Sequence, residues 1–315
     1  MTSITPPPSP APLTGPVIFT LQSEQPTLDI TLVDADSDTP LAGRRIRTSD
    51  GRALYDAAPL LRRLMFLRPS GGETGLFADD DTFFRVRLEA GGAVSPVITC
   101  VCAAPSGRVS AITAMPYART IRYGECDRIL FYAPEPFEAG ITAFTSSARD
   151  VRTYEWNGDP CTVCLRLRTS DFDEDTQRIL VTVNGTAAAE YTFAPQLPGS
   201  VRAAWRTPIG SVEHVTFPAV VRREMVVDRH TLQTPAGILV PDVVQATETT
   251  ALSDYDTDAM TAATAGIIAS TQVWEVDQLG TYTPVGVLGT RTTLSRFGKP
   301  SNMELTLRAP QNAAL

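Results

Sequence analysis

AWRTPIGSVEHVTFP, residues 204–218, is the stretch on which the reading of the whole chain turns. An apolar–polar alternation ends at Trp205, Thr-Pro-Ile-Gly interrupts it, and a second alternation carries Glu213 beside His214. Either a carboxylate–histidine pair begins an active site here, or one hairpin of a structural β protein passes through. Side chains alternate faces along a strand, so on a strand His214 points to the Val212 and Thr216 side and Glu213 to the other. Adjacent residues placed in this way do not form one catalytic pair. Pro208 and Gly210 supply turn chemistry between the two alternations. Trp205 shares a face with Ala203 and Val201, as a core residue does.

Working outward, period two dominates the chain. Residues 17–21 (VIFTL) and 27–34 (TLDITLVD) read as strands. In TFFRVRLEA (82–90), Phe84, Val86 and Leu88 fall on one face and Arg85, Arg87 and Glu89 on the other. PVITCVCAA (96–104) is apolar on both faces, as a strand buried on both sides is. Asp56 is placed to cap a short helix over 57–66, with Pro59 in its first turn. TIRYGECDRILFYAPE, AGITAFTSS, VRTYEWNG, CTVCLRLRTS, RILVTVNG and AAEYTFAP follow at the spacing of a sandwich or barrel-like domain. Near the end, Ser253 or Asp254 is placed to cap a helix with Met260, Ala263, Ile267 and Ile268 on its apolar face. QVWEVDQ, TYTPVGVLGT (with Arg291 beyond it) and NMELTLRAP complete a small sheet.

The expected architecture is mainly β, with tandem β-sandwich-like domains and a small α+β C-terminal block. The divisions are a proline-rich flexible arm at 1–16, an N-terminal β-rich domain with a short helix at 17–115, a central β-sandwich at 116–235 and the α+β block at 236–315. The chain has 315 residues, ample for several domains. Its net charge is −8, with arginine supplying nearly all the positive charge and lysine only at Lys299, so no basic footprint for nucleic acid is present. No window reaches the roughly 20 apolar residues of a membrane span. Residues 1–16 lack the pattern of a secretory signal. With Cys100, Cys102, Cys126, Cys161 and Cys164 odd in number, the reading is of a protein made in a reducing cytoplasm. Asn184-Gly185-Thr186 would be a glycosylation sequon only in an exported chain.

The candidate chemistry is sparse. Asp34, Asp36 and Asp38 begin like a calcium loop, but Thr39 stands at the glycine position and Arg45 at that of the bidentate glutamate, so an acidic turn is expected. DFDEDTQ (171–177) reads as a solvated turn and DYDTD (254–258) as a helix start. Cys161 and Cys164 should point to opposite faces of a strand, and Cys100 and Cys102 to the same face, which suits buried thiols better than zinc ligands. No nucleophile elbow, phosphate loop or dinucleotide fingerprint occurs. His214 and His230 are the only histidines available to a triad. No enzyme activity, catalytic residue, metal or cofactor is therefore expected. Tyr154, Trp156 and Trp205 leave open a carbohydrate-binding or adhesion protein of a gut bacterium, with Trp156 the most exposed of the three.

Trp205, Gly210, Thr216 and Phe217 resemble the "W-x-N-x-x-G-x-x-x-x-x-T-F" segment of β-rich structural proteins from phages and prophages of Bacteroidales-type gut bacteria, with Thr207 where asparagine is more usual. The acidic helix, the strand carrying Tyr282, Pro284, Val285 and Val287, and MELTLRAP are similar to the same group and to distal-tail-like subunits. The resemblance covers roughly residues 200–315. It implies a virion protein of a tail, baseplate or connector, assembled in the host cytoplasm as a homo-oligomeric ring with other phage proteins as partners. Its motifs are structural, so it assigns no site residue.

Overall fold

The computed structural model describes residues 1–102, 108–233, 237, 239–254, 257–289 and 302–310. Strands make up 55% of the chain and helices 8%, so the protein is mainly β. The described helices are short: Ala58–Leu64, Asp258–Thr264 and Gly266–Ala269.

The central layers form a sandwich. One sheet contains Cys126–Ala133 and Cys161–Arg168, flanked by Ser110–Ile112 and Gly75–Ala78. The facing sheet contains Phe137–Phe144, Arg149–Trp156, Arg178–Val183, Thr186–Ala194 and Ala118–Arg122. Phe131, Leu165 and Leu167 from the first meet Ile141, Val181 and Tyr191 from the second in one apolar core. The first sheet is covered on its other face too, where Leu130, Tyr132 and Cys164 pack on Ile112 and Val101. Cover on both faces explains why CDRILFYA and CTVCL are almost continuously apolar.

The N-terminal sheets, built on Ile18–Gln22, Thr27–Asp34 and Phe83–Ala90, share a second core with helix Ala58–Leu64. Asp56 Oδ1 accepts from the backbone N of Ala58 at 3.0 Å, so it ties down the helix entry, one residue before the assigned cap Ala57. The proline-rich segment read above as a flexible arm lies along this unit. Ser3–Thr5 pairs antiparallel with 20–22, Ala11–Pro12 pairs parallel with 100–101, and Leu13 is buried. Its backbone groups find partners in existing sheets, which holds it in place.

The last sheet runs in the order Val212–Phe217, Val201–Arg206, Val273–Val276, Tyr282–Val287, Glu304–Pro310, Leu239–Leu252, Ala219–Gln233. Its first and last strands lie at opposite edges, yet only Pro218 separates them in sequence. The sheet therefore curls back on itself as a half-barrel. Trp205, Phe217, Ile267 and Leu305 fill the interior of this partly closed barrel. The cap of its first helix is Thr257, whose side chain accepts from Met260 N, so the helix begins later than Ser253 or Asp254. Ser253 instead accepts from Met303 N at 2.8 Å and fastens the final strand.

Ala219–Gln233 and Leu239–Leu252 form a hairpin that the alternation of the sequence does not announce. Glu304–Pro310 covers it only as far as the pair Ala246↔Pro310. From Val227↔Gln245 to Gln233↔Leu239 it is a two-stranded ribbon with no third strand among the described residues. At roughly 3.3 Å per residue it extends about 20 Å. Arg291 and Lys299 lie outside the described residues.

Candidate functional site

The 204–218 stretch is a hairpin. Val201–Arg206 pairs with Val212–Phe217, and the turn closes through Thr207 N to Ser211 O and Gly210 N to Thr207 O. Gly210 takes φ +89°, a conformation open to glycine and strained for other residues. Trp205 is fully buried with Ala203 and Val201, as its position in the alternation implies. Val212 and Ala204 pack on the opposite side, against the N-terminal core. Both faces of this hairpin are covered, so its two polar residues are buried on different sides.

Glu213 is 0% exposed and His214 4%. The Glu213 carboxylate accepts from Ser211 Oγ and Ala114 N, each at 2.7 Å, and from Thr113 Oγ1 at 3.0 Å. Burial pushes its pKa up, with Ser211, Arg119 and the Ala114 amide opposing the rise. On the other face His214 Nδ1 lies 2.9 Å from Asp127 Oδ1, a close contact rather than a well-aligned hydrogen bond. His214 Nε2 lies 2.7 Å from Tyr282 Oη. Burial lowers the imidazole pKa, with the neighbouring Asp127 carboxylate opposing the fall. For Asp127, burial acts to raise the pKa, but His214, Arg119 and Arg202 outweigh it and hold the carboxyl well below the usual range.

Two arginines complete the cluster. Arg119 Nη1 is 3.8 Å from Asp127 Oδ2 and 3.9 Å from Glu213 Oε2, which places one cation between the two carboxylates. Its guanidinium also lies over the Tyr191 ring, 5.4 Å from the centroid. Arg202 binds Glu125 and Thr216, each at 2.8 Å, and its fork grips the carbonyl of Cys126. The sandwich strands supply Arg119 and Asp127, and the curled sheet supplies Arg202, Glu213, His214 and Tyr282. The cluster is a seam between the two.

Asp127, His214 and Tyr282 superficially suggest an acid–base relay, but neither Asp127 nor His214 is more than 4% exposed. Both are engaged inside the protein, and Tyr282 beside them is half-buried. The structure thus brings His214 together with partners that the sequence does not reveal, and keeps Glu213 apart from it. Nothing in the sequence distinguishes Asp127, Arg119 or Arg202 from other strand charges, or Glu125 from other turn charges, except that Asp127 lies just before the apolar run 129–133. The backbone of His230 lies in the long hairpin, opposite Asp242.

The remaining candidates are structural. Asp34 Oδ1 accepts from the Asp36 and Ser37 amides, while Asp36 pairs with Arg85 and Asp38 with Arg87, so arginines already neutralise the acidic turn. Asp173, Glu174 and Asp175 form an exposed turn. Cys164 and Cys161 pack into different clusters on opposite faces, and Cys100 and Cys102 share one. Burial pushes the Cys100 and Cys102 thiols up to about 12. Among the described residues no group of three His, Cys, Asp or Glu is placed to hold a metal ion.

Trp156 departs from the expectation of exposure. It is half-buried against the sandwich core, and a Cβ built on Gly158 would fall 2.6 Å from its ring. The indole has folded back onto the glycine, the one residue type that leaves room for it. Tyr154 packs on the same core.

No protein-family model matches the chain, and no curated protein matches it.

Proposed function

We propose that this protein is a structural subunit of a phage tail or baseplate that assembles as a ring through protein–protein contacts and has no catalytic site. The observation that carries the reading is the ribbon spanning 227–233 and 239–245. A two-stranded ribbon is marginal in water alone, and its unpaired edges offer backbone donors and acceptors to another chain. Val221 and Met225, at 61% and 65% exposed, add apolar surface near its base. A monomer gains nothing from such an extension, whereas a ring subunit gains a neighbour to pair with.

The resemblance of residues 200–315 to phage tail proteins supports the same reading: Trp205, Thr216, Phe217, Tyr282 and the final strand belong to strands of one sheet. The polar seam supports it too: Asp127, Glu213 and His214 are buried and hold the sheets together, while Glu125 and Arg202 reach a small cavity of about 200 Å³. No described helix is long and apolar enough to cross a membrane. Of the aromatic residues that a carbohydrate-binding or adhesion protein would use, Trp205 is fully buried, and Trp156 and Tyr154 are half-buried against the sandwich core.

The test is mass measurement by light scattering over a range of concentrations, with negative-stain microscopy of the same samples. Closed rings of defined stoichiometry are expected. A strict monomer at every concentration and salt condition contradicts the reading.

A further inference from the structure

A cleft of about 410 Å³ beside the C-terminal end of helix Ala58–Leu64 is lined by Arg62, Arg63 and Arg206, with Pro208, Ala269 and Ser270 among its walls, and no carboxylate. In this chain of net charge −8, several other arginines do meet acids, as Arg45 meets Asp29 and Arg202 meets Glu125.

Backbone carbonyls hold two of the three guanidiniums in place. Arg62 donates through Nε to Leu13 O and through Nη2 to Gly15 O. Arg206 donates through Nη1 to Met65 O and through Nη2 to Arg62 O. These neutral acceptors fix the forks without cancelling their charge. Arg206 Nε is buried with no hydrogen-bond partner. Burial lowers the pKa of Arg206, and no carboxylate offsets that shift. Arg63, exposed at the rim, adds a third planar fork.

We propose that this cleft binds an oxyanion, a phosphate or carboxylate group, held by the guanidiniums of Arg62, Arg63 and Arg206. The Arg63 fork and the N–H groups that the carbonyls leave free on Arg62 and Arg206 are the donors, and guanidiniums already held in position lose little freedom on binding. The ligand chemistry has two sources. One is a free phosphate or a small phosphorylated molecule. The other is the exposed acidic turn Asp173–Asp175 of a second copy, a head-to-tail contact of the kind that closes rings.

Arg63→Gln is the variant of choice, because Arg63 is exposed and makes none of the clamping hydrogen bonds. In one arm, calorimetry with inorganic phosphate is expected to show saturable binding that Arg63→Gln weakens about tenfold. In the other arm, the oligomeric state is compared for the wild type, Arg63→Gln and the triple variant Asp173→Asn, Glu174→Gln, Asp175→Asn. Absence of phosphate binding, with assembly lost in both variants, assigns the site to the carboxylates of a neighbouring copy and supports the proposal. Phosphate binding that is unchanged in Arg63→Gln overturns it. So does assembly that is unchanged in both variants when phosphate does not bind, and that outcome leaves the ring reading standing.

Discussion

His214 Nε2 and Tyr282 Oη share a 2.7 Å hydrogen bond that ties the 212–217 strand to the 282–287 strand across the curled sheet. Tyr282→Phe leaves the buried imidazole nitrogen without its partner. Stability should fall by about 1–3 kcal/mol, the cost of an unsatisfied buried polar group. Urea denaturation measures it, and an unchanged midpoint would show that the bond carries no net stability.

The cluster makes stability depend on pH in a way that one variant isolates. Burial depresses the His214 pKa below 6.5, Arg202 and Arg128 add to the effect, and Asp127 opposes it. A depressed folded pKa contributes stability that is present above the unfolded value and is lost as pH falls through the folded value. Asp127 acts in the same sense, from its ordinary 3.8 downward. Glu213, raised by burial above 4.5, acts in the opposite sense and loses its contribution as pH rises. The stability advantage of wild type over His214→Gln should therefore shrink between pH 7.5 and pH 5. Melting temperatures of the pair across that range check it; a constant difference would mean that His214 titrates as an unperturbed group.

Asp127→Asn removes the charge that faces both His214 and Arg119. With Arg119 left nearer only Glu213, the variant should lose about 3–5 kcal/mol, the range for breaking a buried ion pair. Chemical denaturation reads it directly. A loss under 1 kcal/mol would place this pair with surface salt bridges in its energetics.

Gly210 sits at the turn of the opening hairpin, and a Cβ there would meet Cys102 Cβ and Sγ, each at 2.6 Å. Gly210→Ala should destabilise by about 2 kcal/mol or more through clash and backbone strain. Adding Cys102→Gly, which removes both Cβ and Sγ, should relieve the clash and leave the strain, a coupling that a double-mutant cycle reports. Strictly additive losses would show that the two residues do not meet.

Much of the fold is legible in the sequence wherever burial is one-sided. The strand Thr27–Asp34 has the bounds that its alternation implies, and Phe83–Ala90 buries Val86 and Leu88 as its pattern requires. Residues 219–229 escape notice because none of them is buried, so nothing forces VVRREMVVDR into period two. The edge strand Pro40–Arg47 escapes for the same reason, since it is mostly exposed. The opposite faces of Glu213 and His214 follow from strand geometry alone. Their burial does not, because cover comes from Asp127, Arg119 and the 113–114 loop, far away in the chain.

The central claim is that the ribbon joins one copy of this chain to the next. Replacing residues 227–245 by a two-residue turn removes the part without a third strand, with the Asp228–Arg308 ion pair at its base, and keeps the strands that Glu304–Pro310 covers. Sedimentation velocity on wild type and this variant is the most direct measurement. The account predicts a ring for the wild type and a folded monomer, with an unchanged melting temperature, for the variant. Rings of the same size from both proteins would contradict it.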